Sequence, residues 1–312
     1  MSIFLKREVL LVKFPIIFPL VYLFILYSFP IYETHLIFLT ILILAETHFG
    51  ATWPFFLDKV NYPHIREKKI ELIIVPLILT IFCIVGFFYF RNFFLLIFFA
   101  ANMYHVTRQS YGIMNLYTKN PEEKFHYSNI IYIFNFLFFL IAFFRFYIPL
   151  VSNEFLLIMN IIVIVAMLLT FLFEFNKFGF SENFLTLVTG VLIFYPVCFV
   201  ENPVHAIIMG VTMHYSQYLY LTTKVLKKRS VDNNSTKKTK FLGFISVIVV
   251  YSLVMSILSI FGKNESEFLS TLIFIPITGQ MLHFYLDSQL WKFSEQHNSC
   301  LLYTSPSPRD NR

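Results

Sequence analysis

Residues 46 to 58 read Glu46-Thr-His-Phe-Gly-Ala-Thr-Trp-Pro-Phe-Phe-Leu-Asp58 and close a long apolar run. His48 lies ten residues before Asp58, where the run meets a charged loop. At a helical rise of about 1.5 Å per residue, its imidazole lies roughly 15 Å from the end of the run. That depth is close to the middle of a hydrocarbon layer about 30 Å thick, where an ionisable side chain is costly and indicates function.

Three other apolar runs carry a histidine at nearly the same depth. Each of these histidines lies nine to twelve residues before the end of its run. Four imidazoles at one level indicate a shared site more strongly than any one of them would alone. The histidines and the residues that end their runs are His105 and Tyr117, His214 and Lys224, and His283 and Lys292.

The composition predicts an integral membrane protein. Hydrophobic residues make up 57% of the chain and charged residues 13%, with a mean hydropathy of +0.69. Ordinary soluble domains carry about 25% charged residues, so a water-soluble fold is not expected. The net charge of +6 resides mainly in short loops between apolar runs, which is typical of topology signals. We therefore expect contact with membrane lipids and no nucleic-acid partner.

The apolar runs predict an all-α, polytopic transmembrane helix bundle with about ten spans. Lysine and arginine concentrate before span 1 and after the even-numbered spans, which places the N-terminus in the cytoplasm, and we expect a bacterial inner membrane. The predicted spans are 14–32, 35–57, 70–90, 93–116, 128–149, 155–175, 184–201, 203–223, 241–262 and 268–291.

The chain shows no linker that would divide the spans, so residues 1–299 are predicted to form a single integral-membrane domain. The last residues differ in character. The stretch from Cys300 to Asp310 resembles the translation of a sequencing adapter, and we interpret residues 300–312 as a non-native tail.

Three of the four histidines have a polar residue one helical turn later. Gln109 follows His105 by four residues, Gln217 follows His214 by three, and Asp287 follows His283 by four. Residues at these spacings share a helix face, so the polar groups are expected to orient the imidazoles or to act as additional ligands.

Glu46 lies two residues before His48, well inside its apolar run. A carboxylate at this position is a candidate base, ligand or proton carrier, and a partnered structural carboxylate is the alternative. Glu46 and Asp287 are the two candidate catalytic carboxylates of the chain.

The four histidines predict a metal site. Neutral imidazole binds Fe, Zn, Cu and Ni, and a bundle core can assemble a site from facing helices. Non-haem iron is the expected metal, with haem or another transition metal as alternatives. The competing interpretation is that each histidine hydrogen-bonds a neighbouring helix.

Three motifs, His105-x3-Gln-x2-Gly112, His214-x2-Gln-Tyr-Leu219 and His283-Phe-x-Leu-Asp-x3-Trp-Lys292, resemble motifs in a set of bacterial polytopic membrane proteins that have no established activity. In general design the chain is also similar to the Brp/Blh family of membrane β-carotene dioxygenases. That resemblance implies several transmembrane histidines around non-haem iron. No catalytic residue of that family is carried over to this chain.

The leading hypothesis from the sequence is a membrane metalloenzyme, a non-haem iron oxygenase that acts on a lipophilic small molecule. A site at mid-depth suits a substrate that arrives through the lipid. Two alternatives are a haem-binding electron-transfer protein and a proton- or ion-coupled transporter, in which Glu46, Asp287 and the histidines would titrate. Broken helices or an inverted repeat would favour the transporter.

Overall fold

The computed structural model describes residues 7–118, 120–148, 150–231, 237–261 and 270–291. Every regular element within these ranges is helical, which confirms the all-α prediction for this part of the chain. The predicted non-native tail at 300–312 lies outside the described residues.

Thirteen α-helices account for most of the described residues, joined by short π and 3-10 segments. Three π segments, Val9–Lys13, Ile41–Ala45 and Ile70–Ile74, lead into or interrupt the helical runs. The α-helices are α1 Ile17–Ser28, α2 Glu33–Thr40, α3 Glu46–Gly50, α4 Trp53–Leu57, α5 Tyr62–Glu67, α6 Val75–Tyr89, α7 Arg91–Tyr117, α8 Pro121–Tyr147, α9 Asn153–Phe178, α10 Glu182–Leu192, α11 Pro203–Val231, α12 Lys237–Phe261 and α13 Phe274–Leu290.

Five helical segments of the described chain are long and apolar enough to cross a membrane. They correspond to predicted spans 2, 3, 5, 6 and 9. Helices α7, α11 and α13, which carry the other three histidines, are not among them. Helix α13 has only 17 residues, and α7 and α11 carry buried polar residues such as Thr107 and Gln217 within their apolar runs. The five segments are Pro30–Leu57, Ile70–Tyr89, Pro121–Tyr147, Asn153–Phe178 and Lys240–Phe261.

The chain divides into two compact units, each built from two separate stretches of sequence. Unit 1 comprises the described parts of Met1–Thr40 and Met103–Tyr220, and unit 2 those of Ile41–Asn102 and Leu221–Arg312. The division falls inside helical runs rather than in linkers, so composition along the chain did not indicate it.

Local signals in the sequence start and end the helices of unit 1. The Asn120 side chain accepts a hydrogen bond from the Glu122 backbone N–H at 3.0 Å, and Pro121 occupies the first turn of α8. Ser152 and Ser181 cap α9 and α10 in the same way. Gly179, with φ +63°, ends α9 in a conformation that a residue with a side chain rarely adopts.

Helix α11 approaches the chain that follows α10 very closely. A Cβ atom added at Gly210 would lie 1.8 Å from the carbonyl oxygen of Ile193. Both Ile193 and its neighbour Phe194 are fully buried. Glycine at 210 therefore sets how near α11 can lie to this segment of unit 1.

In unit 2, a π segment precedes the short helix that carries His48. The Leu42 carbonyl accepts hydrogen bonds from Thr47 Oγ1 at 2.9 Å and from Ser252 Oγ on α12 at 2.5 Å. A π segment displaces carbonyls from the regular helical ladder, and such segments are frequent at functional sites. Side chains from α3 and α12 thus stabilise the irregular backbone beside His48.

Substituting Gly210 with alanine should destabilise the protein, because the added methyl group would collide with backbone that cannot rotate away. We expect Gly210→Ala to lower the free energy of unfolding in detergent by about 3 kcal/mol. The matched control is Gly112→Ala on α7, where an added Cβ meets nothing within 4 Å. Gly112→Ala should change stability by no more than about 1 kcal/mol. Equal stability of the two variants would contradict the close approach at Gly210.

Candidate metal-binding histidines

His105 and His214 form a buried pair in unit 1. Their ring centroids lie 5.7 Å apart at an interplanar angle of 89°. One ring nitrogen of His105 and one of His214 lie within 4.8 Å of each other. His214 is fully buried and His105 nearly so. Helices α7 and α11 therefore bring together two of the histidines that the sequence placed at one depth.

Gln217, one turn after His214, binds the N-terminal segment of unit 1. Its Nε2 donates to the Val12 carbonyl at 2.6 Å, and the neighbouring Ser216 Oγ donates to the Leu11 carbonyl at 2.9 Å. The segment is held further by Thr189 Oγ1, which donates to the Lys13 carbonyl at 2.9 Å. The predicted role of Gln217 in orienting the imidazole stays a prediction. Gln109, the corresponding residue after His105, is half-buried on α7.

His48 and His283 form a second buried pair, in unit 2. Their ring centroids lie 4.5 Å apart at an interplanar angle of 68°. Phe49 lies against both rings, with its centroid 5.1 Å from each. Neither histidine has appreciable solvent exposure. Helices α3 and α13 thus hold two imidazoles in contact with each other and with the Phe49 ring.

Thr52 is a polar residue that contacts His283 of this pair. Its Oγ1 lies 2.7 Å from His283 Nδ1, and both residues are buried. If Nδ1 carries the hydrogen of this bond, Nε2 is the nitrogen left to bind a metal. Thr52 lies four residues after His48, the same spacing as Gln109 after His105 and Asp287 after His283. The imidazole that Thr52 contacts, however, is that of His283 on a different helix.

The two candidate carboxylates of unit 2 are both buried. Glu46 has no exposed surface, and its Oε1 accepts a hydrogen bond from Gln280 Nε2 at 3.1 Å. Asp287 is 1% exposed, and its Oδ1 accepts from Trp291 Nε1 at 2.6 Å. A carboxylate oxygen of Asp287 lies within 4.8 Å of a ring nitrogen of His283. Gln280 and Trp291 were not among the sequence candidates. Trp291 lies four residues after Asp287, a spacing that places two side chains on one helix face, whereas the contact of Gln280 with Glu46 joins different helices and has no local signal.

Tyr251 of α12 lies against two glycines of neighbouring helices in unit 2. A Cβ at Gly279 would come within 2.7 Å of its hydroxyl oxygen, and one at Gly50 within 3.0 Å of its ring. The Trp53 ring lies 6.1 Å from the Tyr251 ring, centroid to centroid. Glycine at both positions therefore lets an aromatic side chain lie close to the helices that carry His48 and His283.

The geometry of the pairs is suitable for binding a metal. Two imidazoles bound to one ion at about 2.0–2.1 Å, with a nitrogen–metal–nitrogen angle of about 90–110°, have ring centroids about 4.5–5.2 Å apart. The unit 2 pair lies within this range at 4.5 Å, and the unit 1 pair is slightly wider at 5.7 Å. All four histidines and Asp287 belong to buried groups that could hold a metal ion.

The unit 2 pair is too close to ligate a haem iron from opposite faces. Axial imidazoles on the two sides of a porphyrin have ring centroids about 6 Å apart. His48 and His283, at 4.5 Å, are in direct edge contact. This separation is compatible with neighbouring ligands of one ion.

The chain matches no protein-family model, no curated protein and no solved structure.

Replacing Gln217 with methionine tests what holds the N-terminal segment. The variant keeps the side-chain volume but leaves the buried Val12 carbonyl without its donor, which should cost about 1–3 kcal/mol of unfolding free energy. The control is Ser246→Ala on α12, whose hydroxyl bonds only within its own helix and should change stability by no more than about 0.5 kcal/mol. Chemical unfolding in detergent measures both variants. An unchanged Gln217→Met protein would show that this hydrogen bond does not stabilise the segment.

Proposed function

We propose that this protein is an integral-membrane, metal-dependent enzyme, and specifically a non-haem iron oxygenase that acts on a lipophilic small molecule. The observation that carries the proposal is the presence of two buried histidine pairs, one at the centroid separation expected for two ligands of one ion and the other slightly wider. Imidazole and carboxylate side chains together suit iron. The distant similarity in design to the Brp/Blh dioxygenases agrees with this proposal.

The four histidines are proposed to share one metal. His48 and His283 supply two ligands, and His105 and His214 supply two more. Asp287 is proposed as a further ligand or as a base, and Glu46 as a base or proton carrier. Gln109 and Gln217 are proposed to orient the imidazoles on their own helices. Iron bound in this way would supply redox chemistry and a Lewis acid for the substrate.

The number of membrane crossings and the side of the N-terminus are also proposed. Besides the five long apolar segments, helices α1, α7, α10, α11 and α13 coincide with predicted spans and are proposed to complete about ten crossings. The N-terminus is proposed to be cytoplasmic and the membrane to be a bacterial inner membrane. A site at mid-depth then receives its substrate from the lipid, because that is where a lipophilic molecule is concentrated.

Metal analysis and an absorption spectrum on the purified full chain test the proposal. We expect about one iron per chain, no Soret band, and loss of most of the iron in both His283→Ala and His214→Ala, because removing one ligand of a shared site weakens it 10-fold or more. His35→Ala is the matched control, since His35 is exposed and belongs to neither pair.

Each alternative has its own outcome in this experiment. If both His283→Ala and His214→Ala retain all of their iron, the proposal is wrong. Two irons per chain, with each variant losing one, would replace the shared site by two separate sites. A Soret band would establish a haem protein instead.

Thr52 provides a second test, aimed at the orientation of His283. Thr52→Val keeps the shape of the side chain but removes the hydroxyl 2.7 Å from His283 Nδ1, and it should weaken iron binding about 10–100-fold. Thr52→Ser should retain most of the affinity. The control Thr80→Val removes a hydroxyl that bonds only the Pro76 carbonyl of its own helix. Competition with a chelator measures all three affinities, and equal loss in the valine and serine variants would exclude the orienting role.

Interrupted helices favour proton- or ion-coupled transport as the second candidate function. The run that carries His48 is broken by the π segment Ile41–Ala45 and by a turn at residues 51–52, close to buried Glu46. Transporters place broken helices and buried carboxylates at their coupling-ion sites. Folded protein that takes up no metal on reconstitution, and that moves protons across proteoliposomes, would favour this alternative.

A further inference from the structure

A second polar cluster lies in unit 1 and contains none of the four paired histidines. His205, in the first turn of α11, is 2% exposed. Its Nδ1 lies 2.7 Å from Tyr22 Oη on α1, and its Nε2 lies 2.7 Å from Glu33 Oε1 on α2. Three helices thus contribute one side chain each to a continuous hydrogen-bonded chain.

The two ends of this chain have different surroundings. Tyr22 is 3% exposed and packs edge-on against the imidazole, with ring centroids 5.8 Å apart. The Glu33 side chain is 45% exposed. The cluster therefore connects a buried phenol to an exposed carboxylate through a buried imidazole.

One tautomer satisfies both hydrogen bonds. In neutral His205 with its proton on Nε2, Tyr22 Oη–H donates to Nδ1 and Nε2–H donates to the Glu33 carboxylate. A doubly protonated imidazole also fits, because Nδ1–H can donate to the Tyr22 oxygen while Nε2–H still faces the negative charge of Glu33. The site can hold one additional proton without losing either contact.

We propose that Tyr22, His205 and Glu33 form a proton-exchange site that connects the interior of unit 1 with the surface at Glu33. A proton that arrives at the Tyr22 oxygen displaces the phenolic proton to Nδ1, and the imidazolium then passes its Nε2 proton to Glu33, which releases it to water. One proton enters at Tyr22 and one leaves at Glu33, which leaves His205 as the Nδ1–H tautomer. The reverse sequence takes a proton up at Glu33, releases one at Tyr22 and restores the Nε2–H tautomer.

Two other titratable groups lie near the ends of α2 and α11, but they are not part of the hydrogen-bonded series formed by Tyr22, His205 and Glu33. Glu201, just before α11, and His35, on α2, are both exposed. The His35 ring contacts Tyr32, with centroids 6.1 Å apart. The hydrogen bonds of His205 described above are with Tyr22 and Glu33.

Nuclear magnetic resonance of the full chain in lipid bilayers, with ¹⁵N-labelled histidine, tests the site. The His205 signals are assigned by their loss in His205→Gln. We expect His205 to be a neutral Nε2–H tautomer in exchange with a doubly protonated form. Glu33→Gln keeps a hydrogen-bond acceptor but cannot carry a proton, so it should slow exchange between the two forms at least about 10-fold.

The remaining variants separate proton exchange from a packing role. Glu33→Asp keeps a carboxylate and should restore most of the exchange rate, and His35→Gln should leave the rate unchanged. The absence of a doubly protonated His205 signal in the folded wild-type protein would overturn the proposal, whatever the variants do. So would equal exchange rates in the wild type and Glu33→Gln. Metal content plays no part in these measurements, so they stand independently of the proposed enzyme.

Discussion

The cost of burying an unpartnered polar group in apolar surroundings is the constraint on which this structure depends. No water is available in a membrane interior to satisfy backbone or side-chain groups, so partners must come from the protein. Several backbone carbonyls show how the protein supplies these partners. Gln217 donates to the Val12 carbonyl, Ser252 to the Leu42 carbonyl, and Asn135 to the Gly190 carbonyl at 3.0 Å. Polar side chains therefore stabilise backbone that a regular helix would have satisfied by itself.

The same constraint separates two kinds of helix. Helices such as α9 in unit 1 and α6 in unit 2 are strongly apolar and bury little of their surface inside the protein, as expected for walls that face lipid. Helices α7, α11 and α13 carry His105, His214 and His283 and bury polar side chains. The candidate metal-binding histidines of these three helices therefore lie on helices of the second kind.

Several features of the site could be read from the chain before the fold was known, because they depend on local spacing. The common depth of the histidines follows from counting residues to the end of each run, and the caps at Asn120, Ser152 and Ser181 follow from residue type and position. The same kind of reasoning finds that Thr52 lies one turn after His48. It does not find that the hydroxyl contacts His283, because that contact depends on how α13 packs.

The sequence by itself determined that the chain is helical and apolar, and it predicted that four histidines lie at one depth, since periodicity and composition are properties of each segment alone. Only the tertiary structure decided that His105 pairs with His214 and His48 with His283. It alone assembled Tyr22, Glu33 and His205 from three helices. The physical reason is that contacts between helices depend on the packing of many side chains at once, including close approaches such as that at Gly210, which no single segment encodes.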